Sequence, residues 1–238
     1  MPGFPVHISA SSILGAGYGA AAYFVGDLPP MTCLMATGLC SVAGMMPDLD
    51  SESGVPLKES VAFTAAVVPV MLLQRFQQFG LPLEGVILLA AGLYLAIRFG
   101  LAYLLETYSV HRGMFHSVPA ALIAGQLTFL AFGSEEPLHR YFMASAVVLG
   151  FLSHLVLDEI WSVKLGLFGP KVKKSFGTAV KFYGPTAWAN MLTYLLVLGL
   201  GAAAASDAAW TEKVAAVRQQ MEQASRQIYT VPQPWIRR

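Results

Sequence analysis

Imidazoles, carboxylates and one guanidinium are the groups with the clearest capacity for chemistry in this apolar chain. Residues 111–117 read His-Arg-Gly-Met-Phe-His-Ser, so His111, Arg112 and His116 lie between two hydrophobic runs. The whole chain has only five histidines, and 12% of its 238 residues are charged. Ionisable side chains between hydrophobic runs are costly unless they bind something or pair with one another. We therefore expect these groups to act together.

Three further segments carry similar donors. His154 and Asp158 are four residues apart, which on a helix places both on one face, about 5–6 Å apart at Cβ. Alone, a histidine such as His154 is more often a hydrogen-bonded core residue. Asp48 and Asp50, which lie two residues apart, would alone most often form a turn or cap. Their joint occurrence favours a shared metal site. The candidate metal ligands are His7, Asp48, Asp50, His111, His116, His154 and Asp158.

This donor set predicts a divalent metal. Mixed imidazole and carboxylate ligands suit zinc, and also manganese or iron, whereas a closed structural zinc site would use thiolates. Seven donors exceed the needs of one tetrahedral ion, so we expect one or two ions. Arg112 could pair with a phosphate through two parallel hydrogen bonds. We expect Arg112, Asp50 and His111 to take part in catalysis.

The composition is that of a membrane protein. The chain is 55% hydrophobic with a mean hydropathy of +0.58, and its net charge is only +1. These values exclude a disordered chain and a nucleic-acid partner. Since about 20 apolar residues cross a bilayer, we expect an all-α, polytopic membrane helix bundle of about seven helices, with the metal site at one end. The spans are expected near residues 8–26, 31–46, 60–76, 83–105, 117–133, 141–163 and 186–205.

Two regions are expected: a membrane-embedded catalytic bundle over residues 1–205 and a polar tail over 206–238. In the tail, apolar residues recur at helical spacing, which predicts an amphipathic helix. That helix could lie on the membrane, pack on a partner or remain a solvated terminal helix. Its apolar residues are Val214, Val217, Met221 and Ile228.

Alternation of the spans predicts which groups share a membrane face. The second, fourth and sixth spans return to the face where the chain begins, so His7 and all the other candidate ligands meet there. Lysines between 164 and 181 fall on the same face, which the positive-inside tendency makes cytoplasmic. The basic residues of the tail, however, fall on the other face. His139 also falls there and is expected to be unrelated to the site, while Ser117 is expected to cap the fifth span.

The order of these motifs resembles a known family. His7 before a small-residue helix, Pro-Asp-Leu-Asp at 47–50, His-Arg-Gly-x-x-His-Ser at 111–117 and Ser-His-Leu-x-x-Asp at 153–158 resemble the YdjM-like family of bacterial inner-membrane metal-dependent hydrolases. The resemblance covers roughly residues 5–185 and implies a multi-pass protein of the bacterial inner membrane. The ligand order is also distantly similar to zinc-dependent phospholipase C and related nucleases, which implies a phosphoester substrate.

These inferences predict a membrane-bound hydrolase that cleaves a phosphoester, such as a phospholipid, through metal-activated water. The expected partners are the lipid bilayer and an anionic small-molecule or lipid substrate. The alternative is a transporter or ion-conducting protein with a His/Asp relay that includes Arg98, which would spread ionisable groups through the membrane depth. A haem-binding bundle is a further alternative. A Ser–His–Asp triad is less favoured, because the sequence has no Gly-x-Ser-x-Gly elbow.

Overall fold

The computed structural model describes residues 3–50, 54–101, 103, 113–134, 136–166, 169–172 and 180–230. The regular secondary structure of this part of the chain is helical apart from one small hairpin. An all-α bundle is therefore confirmed. The helices are α1 (Phe4–Phe24), α2 (Pro30–Ala43), α3 (Gly54–Gln78), α4 (Leu83–Leu95), α5 (Val118–Ala131), α6 (Pro137–Ile160), α7 (Ala187–Ala205) and α8 (Ala208–Thr230). A 3-10 helix, Met46–Asp50, follows α2, and a π-helical segment, Ala96–Leu101, continues α4.

The hairpin directly follows α6 and was not expected from the sequence. Strand β1 (Val163–Gly166) pairs antiparallel with β2 (Gly169–Val172), with Val163 opposite Val172. The predicted sixth span extends to residue 163, whereas α6 ends at Ile160. The end of this span is therefore corrected, because Val163 belongs to a strand.

Prolines begin several of the helices, where the missing N–H group costs nothing and the fixed φ angle suits the first turn. Pro5, Pro30, Pro119 and Pro137 lie in the first turns of α1, α2, α5 and α6. Ser117 caps α5 as predicted, since its Oγ accepts a hydrogen bond from the Ala120 N–H at 3.3 Å. This cap fixes the residues directly before α5, which include His116.

Five segments of the described chain are long and apolar enough to cross a membrane, where the sequence predicted about seven spans. The two remaining predicted spans correspond to α1 and α5. Helix α1 is long, but its many Gly, Ala and Ser residues reduce its hydropathy, and α5 has only 14 residues. The five segments are Pro30–Asp48, Ser60–Gln78, Leu83–Leu101, Pro137–Ile160 and Ala187–Ala205.

The centre of the bundle is formed by α1, α2 and α6, which pack against one another, while α5 joins α6 to α7 and α3 packs on α4. Small residues allow the close approach of the central helices. A Cβ atom added to Gly15 would lie 2.8 Å from the Thr37 carbonyl oxygen of α2. A Cβ added to Gly150 would overlap the Cys40 carbonyl, so α6 crosses α2 almost backbone to backbone. This contact holds the ends of α2 and α6 in fixed register.

An ion pair anchors α8 to the end of the bundle where α6 begins. Arg140, which is 1% exposed, donates hydrogen bonds to both carboxylate oxygens of Asp207, at 2.6 and 2.9 Å. Its Nε donates to the Phe129 carbonyl at 3.0 Å, and Arg75 lies 3.5 Å from the same aspartate. The short Ser206–Asp207 link between α7 and α8 is therefore tied to α3, α5 and α6.

Candidate metal centre

Four separate segments bring five of the predicted ligands together at the other end of α6. His7 lies in the first turns of α1, on the buried face that it shares with Ser11 and Gly15. Asp48 lies in the 3-10 helix after α2, and His116 lies just before the Ser117 cap of α5. The remaining pair, His154 and Asp158, occupies the last turns of α6.

Asp158 connects two stacked imidazoles. The rings of His7 and His154 stack with centroids 3.7 Å apart and planes at 15°. His7 Nε2 lies 3.4 Å from Asp158 Oδ1, and His154 Nε2 lies 3.8 Å from Asp158 Oδ2. Each ring therefore presents one nitrogen to one oxygen of the same carboxylate.

Asp48 connects His154 to the third imidazole. Asp48 Oδ1 lies 3.5 Å from His154 Nε2 and 3.7 Å from His116 Nε2. Among the described residues, two groups could thus hold a metal ion, one formed by His7, His154 and Asp158 and the other by Asp48, His116 and His154. Because His154 belongs to both, the two groups form one continuous cluster.

The tautomer of His154 is fixed by the backbone of α2. His154 Nδ1 lies 2.8 Å from the Gly44 carbonyl oxygen, which can only accept a hydrogen bond, so Nδ1 carries the proton. In the neutral ring, Nε2 then has a free lone pair directed towards Asp48 and Asp158. A carbonyl that holds the second ring nitrogen of a histidine is the usual arrangement around metal-bound imidazole.

The separations within the cluster are longer than hydrogen bonds and match those between ligands of one ion. Hydrogen bonds to nitrogen join atoms about 2.7–3.2 Å apart. Two ligands placed about 2.0–2.1 Å from a tetrahedral zinc ion are about 3.3 Å from each other. The four nitrogen–oxygen separations in the cluster are 3.4, 3.5, 3.7 and 3.8 Å.

Burial makes this arrangement costly without a cation. His154 is 0% and Asp158 4% exposed, yet His154 Nε2 and both oxygens of Asp158 make no hydrogen bond within the described residues. Leaving such atoms unpaired costs about 1–3 kcal/mol each, and more for a charged group. The ion pairs that the structure shows for Asp48 and Asp158 involve imidazoles. A divalent cation would satisfy the lone pairs and balance both carboxylates, so these residues fit a bound metal.

The other predicted site residues lie outside what the structure describes. His111 and Arg112 fall in the segment 104–112, beyond the described residues. Asp50 ends the 3-10 helix, but only its backbone is described. Their expected roles as ligands and catalytic groups therefore remain predictions. His139 lies 15 residues before His154 on α6, about 22 Å along the helix axis, so it is separate from the cluster, as expected.

The Gly44 carbonyl contacts the cluster and is not among the groups that the sequence predicts for the site. A Cβ added to Gly44 would overlap the Ser11 side chain, so glycine allows α1 and the end of α2 to approach here. Ser11 Oγ in turn donates to the Ser41 carbonyl at 3.0 Å. The sequence feature that could have indicated the Gly44 carbonyl is a glycine at the end of an apolar helix, four residues before Asp48. Helix ends offer carbonyl groups that have no partner within the helix.

Comparison with known proteins places the chain in a family. Searches of the curated proteins and of the solved structures each find no match. The family model described as YdjM inner membrane protein matches residues 7–221, which include all five clustered residues. The match covers most of the chain and agrees with the apolar spans. The protein is thus a membrane protein and a member of the YdjM inner membrane protein family.

Proposed function

We propose that this protein is a membrane-embedded metal-dependent hydrolase that cleaves a phosphoester bond, such as that of a phospholipid. The observation that carries the proposal is the buried lone pair of His154 Nε2, which faces two carboxylates at 3.5 and 3.8 Å and is held there by the Gly44 carbonyl. A histidine with only a structural role would be expected to make a normal hydrogen bond at this nitrogen.

Zinc fits the donors better than the alkaline-earth ions do. The cluster offers three imidazole nitrogens together with carboxylate oxygens, whereas magnesium and calcium favour oxygen ligands alone. Manganese and iron also accept this set. His154 can supply only one nitrogen ligand, because Nδ1 is already hydrogen-bonded to the Gly44 carbonyl. An ion held by His7, His154 and Asp158 would leave Asp48 and His116 for a second ion, with further ligands from Asp50 or His111.

A metal in this cluster would supply an activated water molecule and stabilise negative charge on the phosphoryl oxygens. Helices α1 and α6 and the 3-10 helix after α2 would hold the donors in place before substrate arrives. These donors are His7, Asp48, His154 and Asp158. The side chain of Asp48 is 23% exposed, whereas those of His154 and Asp158 are 0% and 2% exposed. Substrate would therefore approach from the Asp48 side. Arg112 would form two parallel hydrogen bonds with the phosphate, which is the pairing geometry that guanidinium groups favour.

The transporter alternative is supported less well by the positions of the charged groups. A relay requires ionisable residues along the membrane depth. In the described residues of α6, Arg140 and His139 lie near one end, and His154 and Asp158 lie near the other. Between residues 140 and 154 this helix carries no ionisable side chain except Tyr141, over a rise of about 21 Å. Clustering at one end favours a catalytic centre.

We also propose that the metal centre faces the cytoplasm. Lys164 lies in β1, which directly follows the end of α6 that carries the cluster, and further lysines follow in the sequence up to Lys181. Basic residues are concentrated on the cytoplasmic side of inner-membrane proteins. A reporter fused after residue 230 tests this proposal, because seven spans would place the chain beyond α7 on the periplasmic side. A cytoplasmic signal from that reporter would contradict the proposed orientation or the span count.

The decisive experiment combines elemental analysis with a phosphoesterase assay on the purified protein in detergent or nanodiscs. We expect one or two zinc, manganese or iron ions per chain, and hydrolysis of a chromogenic phosphodiester or of phospholipid vesicles. Asp158→Ala should lose both the metal and the activity. His139→Ala is the matched control, since it removes an imidazole from the same helix away from the cluster. Metal-free, inactive wild-type protein, or an Asp158→Ala variant with unchanged metal and activity, would disprove the proposal.

A further inference from the structure

Helix α8 carries a surface that the metal centre does not use. Its first turns contact the bundle, where the Trp210 and Tyr141 rings lie 4.9 Å apart and Lys213 pairs with Glu136 at 3.3 Å. From Val214 to Arg226, every described residue is exposed. An isolated helix of this length is only marginally stable in water. The exposed part of α8 therefore needs a partner surface.

The apolar residues of α8 follow the spacing of a coiled coil. From Trp210 onwards they recur at intervals of four, three, four, three and four residues, which is the a/d pattern of a heptad repeat. At 100° per residue these positions cover a stripe about 80° wide, which is narrower than the apolar face of most surface helices. The stripe consists of Trp210, Val214, Val217, Met221, Ala224 and Ile228.

The charges of α8 suit a second protein helix better than a lipid surface. Helices that lie on anionic membranes are rich in Lys and Arg on their polar face. Here the charges are mixed, and several other polar positions are glutamines. The three basic residues are Lys213, Arg218 and Arg226, the two acidic residues are Glu212 and Glu222, and the four glutamines are Gln219, Gln220, Gln223 and Gln227.

The basic residues that flank the stripe are already paired within the chain. Arg218 lies 3.1 Å from Glu222, and Lys213 is held by Glu136. These pairs reduce the repulsion that Lys213 and Arg218 would otherwise cause between two identical helices. The positive charges on both sides of the stripe are therefore balanced before a second copy of α8 binds.

The membrane determines the geometry of such a pair. Two copies in one bilayer have the same orientation, and the Asp207 anchor fixes where each α8 begins, so α8 helices that project away from the membrane run parallel to each other. In that arrangement Val214 and Ile228 occupy a positions, where β-branched residues favour two-stranded pairs. The stripe is short for a free coiled coil, but confinement to the membrane raises the effective concentration of the second copy.

We propose that the exposed part of α8 forms a parallel two-stranded coiled coil with α8 of a second copy of this chain. The seam consists of Val214, Val217, Met221, Ala224 and Ile228. Trp210 stays on its own bundle, because it already packs on Tyr141. The proposal concerns the assembly of the protein and does not depend on the metal centre.

Disulfide cross-linking in native membranes tests this proposal. Val217→Cys places a thiol at a d position in the seam, and Gln219→Cys places one on the opposite face of the same helix. Both native cysteines, Cys33 and Cys40, are buried on α2 and remain in all variants. On mild oxidation we expect Val217→Cys to shift from the 25.5 kDa monomer to a dimer of twice that mass, and Gln219→Cys and wild type to stay monomeric.

A second variant tests whether the cross-link depends on the apolar seam. Adding Met221→Glu to Val217→Cys should abolish the cross-linked dimer, because two carboxylates would face each other at an a position. Equal cross-linking of Val217→Cys and Gln219→Cys, or a persistent monomer for both, would overturn the proposal. So would lipid contact reported by a fluorophore attached to the new thiol of a monomeric Val217→Cys variant, since the stripe would then cover the bilayer surface.

Discussion

His154 donates its Nδ1 proton to the carbonyl of Gly44, 110 residues earlier in the chain and 2.8 Å away. This hydrogen bond links the candidate metal centre to the packing of three helices. Ser11 of α1 occupies the space beside Gly44, and Gly150 of α6 lies against Cys40 of α2. The orientation of one imidazole thus depends on glycines whose lack of a side chain permits the close approach of these helices.

Asp158→Asn should remove the metal while preserving the shape of the side chain. The amide keeps one weak oxygen ligand but loses the negative charge that faces His7 and His154. We expect metal affinity to fall by at least about 100-fold, which exceeds the effect of most changes in the shell around a metal. Competition with a fluorescent zinc chelator measures the affinity. His139→Gln, on the same helix, should retain wild-type affinity, and equal losses in both variants would contradict a specific ligand role.

Gly44→Ala should weaken metal binding without touching a ligand. The new methyl group would overlap Ser11, so the end of α2 must move and carry the carbonyl away from His154. We expect a loss of about 10-fold or more in metal affinity, in line with other residues that orient ligands. The double variant Gly44→Ala/Ser11→Gly removes both overlapping atoms and should recover most of the affinity. Failure of this rescue would show that Gly44 acts in another way.

Gly150→Ala should destabilise the bundle, because its methyl group would meet the Cys40 carbonyl and neither backbone can yield locally. Steric overpacking of this kind costs about 1–3 kcal/mol or more. Gly199→Ala on α7 is the control, since a Cβ there would meet nothing within 4 Å. It should be neutral or slightly stabilising, as alanine favours helix. Thermal unfolding in detergent distinguishes the two, and similar melting temperatures would contradict the close α2–α6 crossing.

Asp207→Asn should loosen the anchor of α8. Arg140 would keep its buried charge with a weaker partner, and breaking a buried pair costs about 3 kcal/mol. Glu222→Gln is the matched control. Its ion pair with Arg218 is on the surface, so a change of no more than about 0.5 kcal/mol is expected. Unfolding by denaturant measures both free energies, and equal effects would argue against the anchor.

The same anchor predicts a dependence on pH. Hydrogen bonds from Arg140 hold the pKa of Asp207 below its usual value of 3.8. The carboxylate therefore contributes its full stabilisation above about pH 4 and loses it as the pH falls through the lowered pKa of the folded state. The stability difference between wild type and Asp207→Asn should be constant from about pH 5 to 7 and shrink in more acidic buffer. A difference that does not shrink would contradict the ionised pair.

The convergence of His7, Asp48, His116, His154 and Asp158 could be anticipated from the sequence, because alternating spans bring alternate helix ends to one face. The spacing of His154 and Asp158 also predicted their shared helix face. These inferences depend only on the order of the spans and on helical periodicity, and both can be read from the amino-acid sequence.

Other features could not be predicted from residue types. The Gly44 carbonyl is a backbone group, and its direction depends on how α2 ends. The Arg140–Asp207 pair joins residues 67 apart, and charge counting does not identify such partners. The β1–β2 hairpin pairs two segments of only four residues, which are too short for hydrophobic alternation to identify them as strands, and its register depends on contacts between the strands.

The cluster also constrains how a cell can produce the functional protein. His7 emerges first during translation, yet its partner Asp158 belongs to the sixth helix, so the nascent chain cannot assemble the centre until that helix has left the ribosome and joined α1 and α2 in the bilayer. Assembly of the cluster should therefore follow membrane insertion, and a truncated product that ends before Asp158 would lack the carboxylate that faces both His7 and His154.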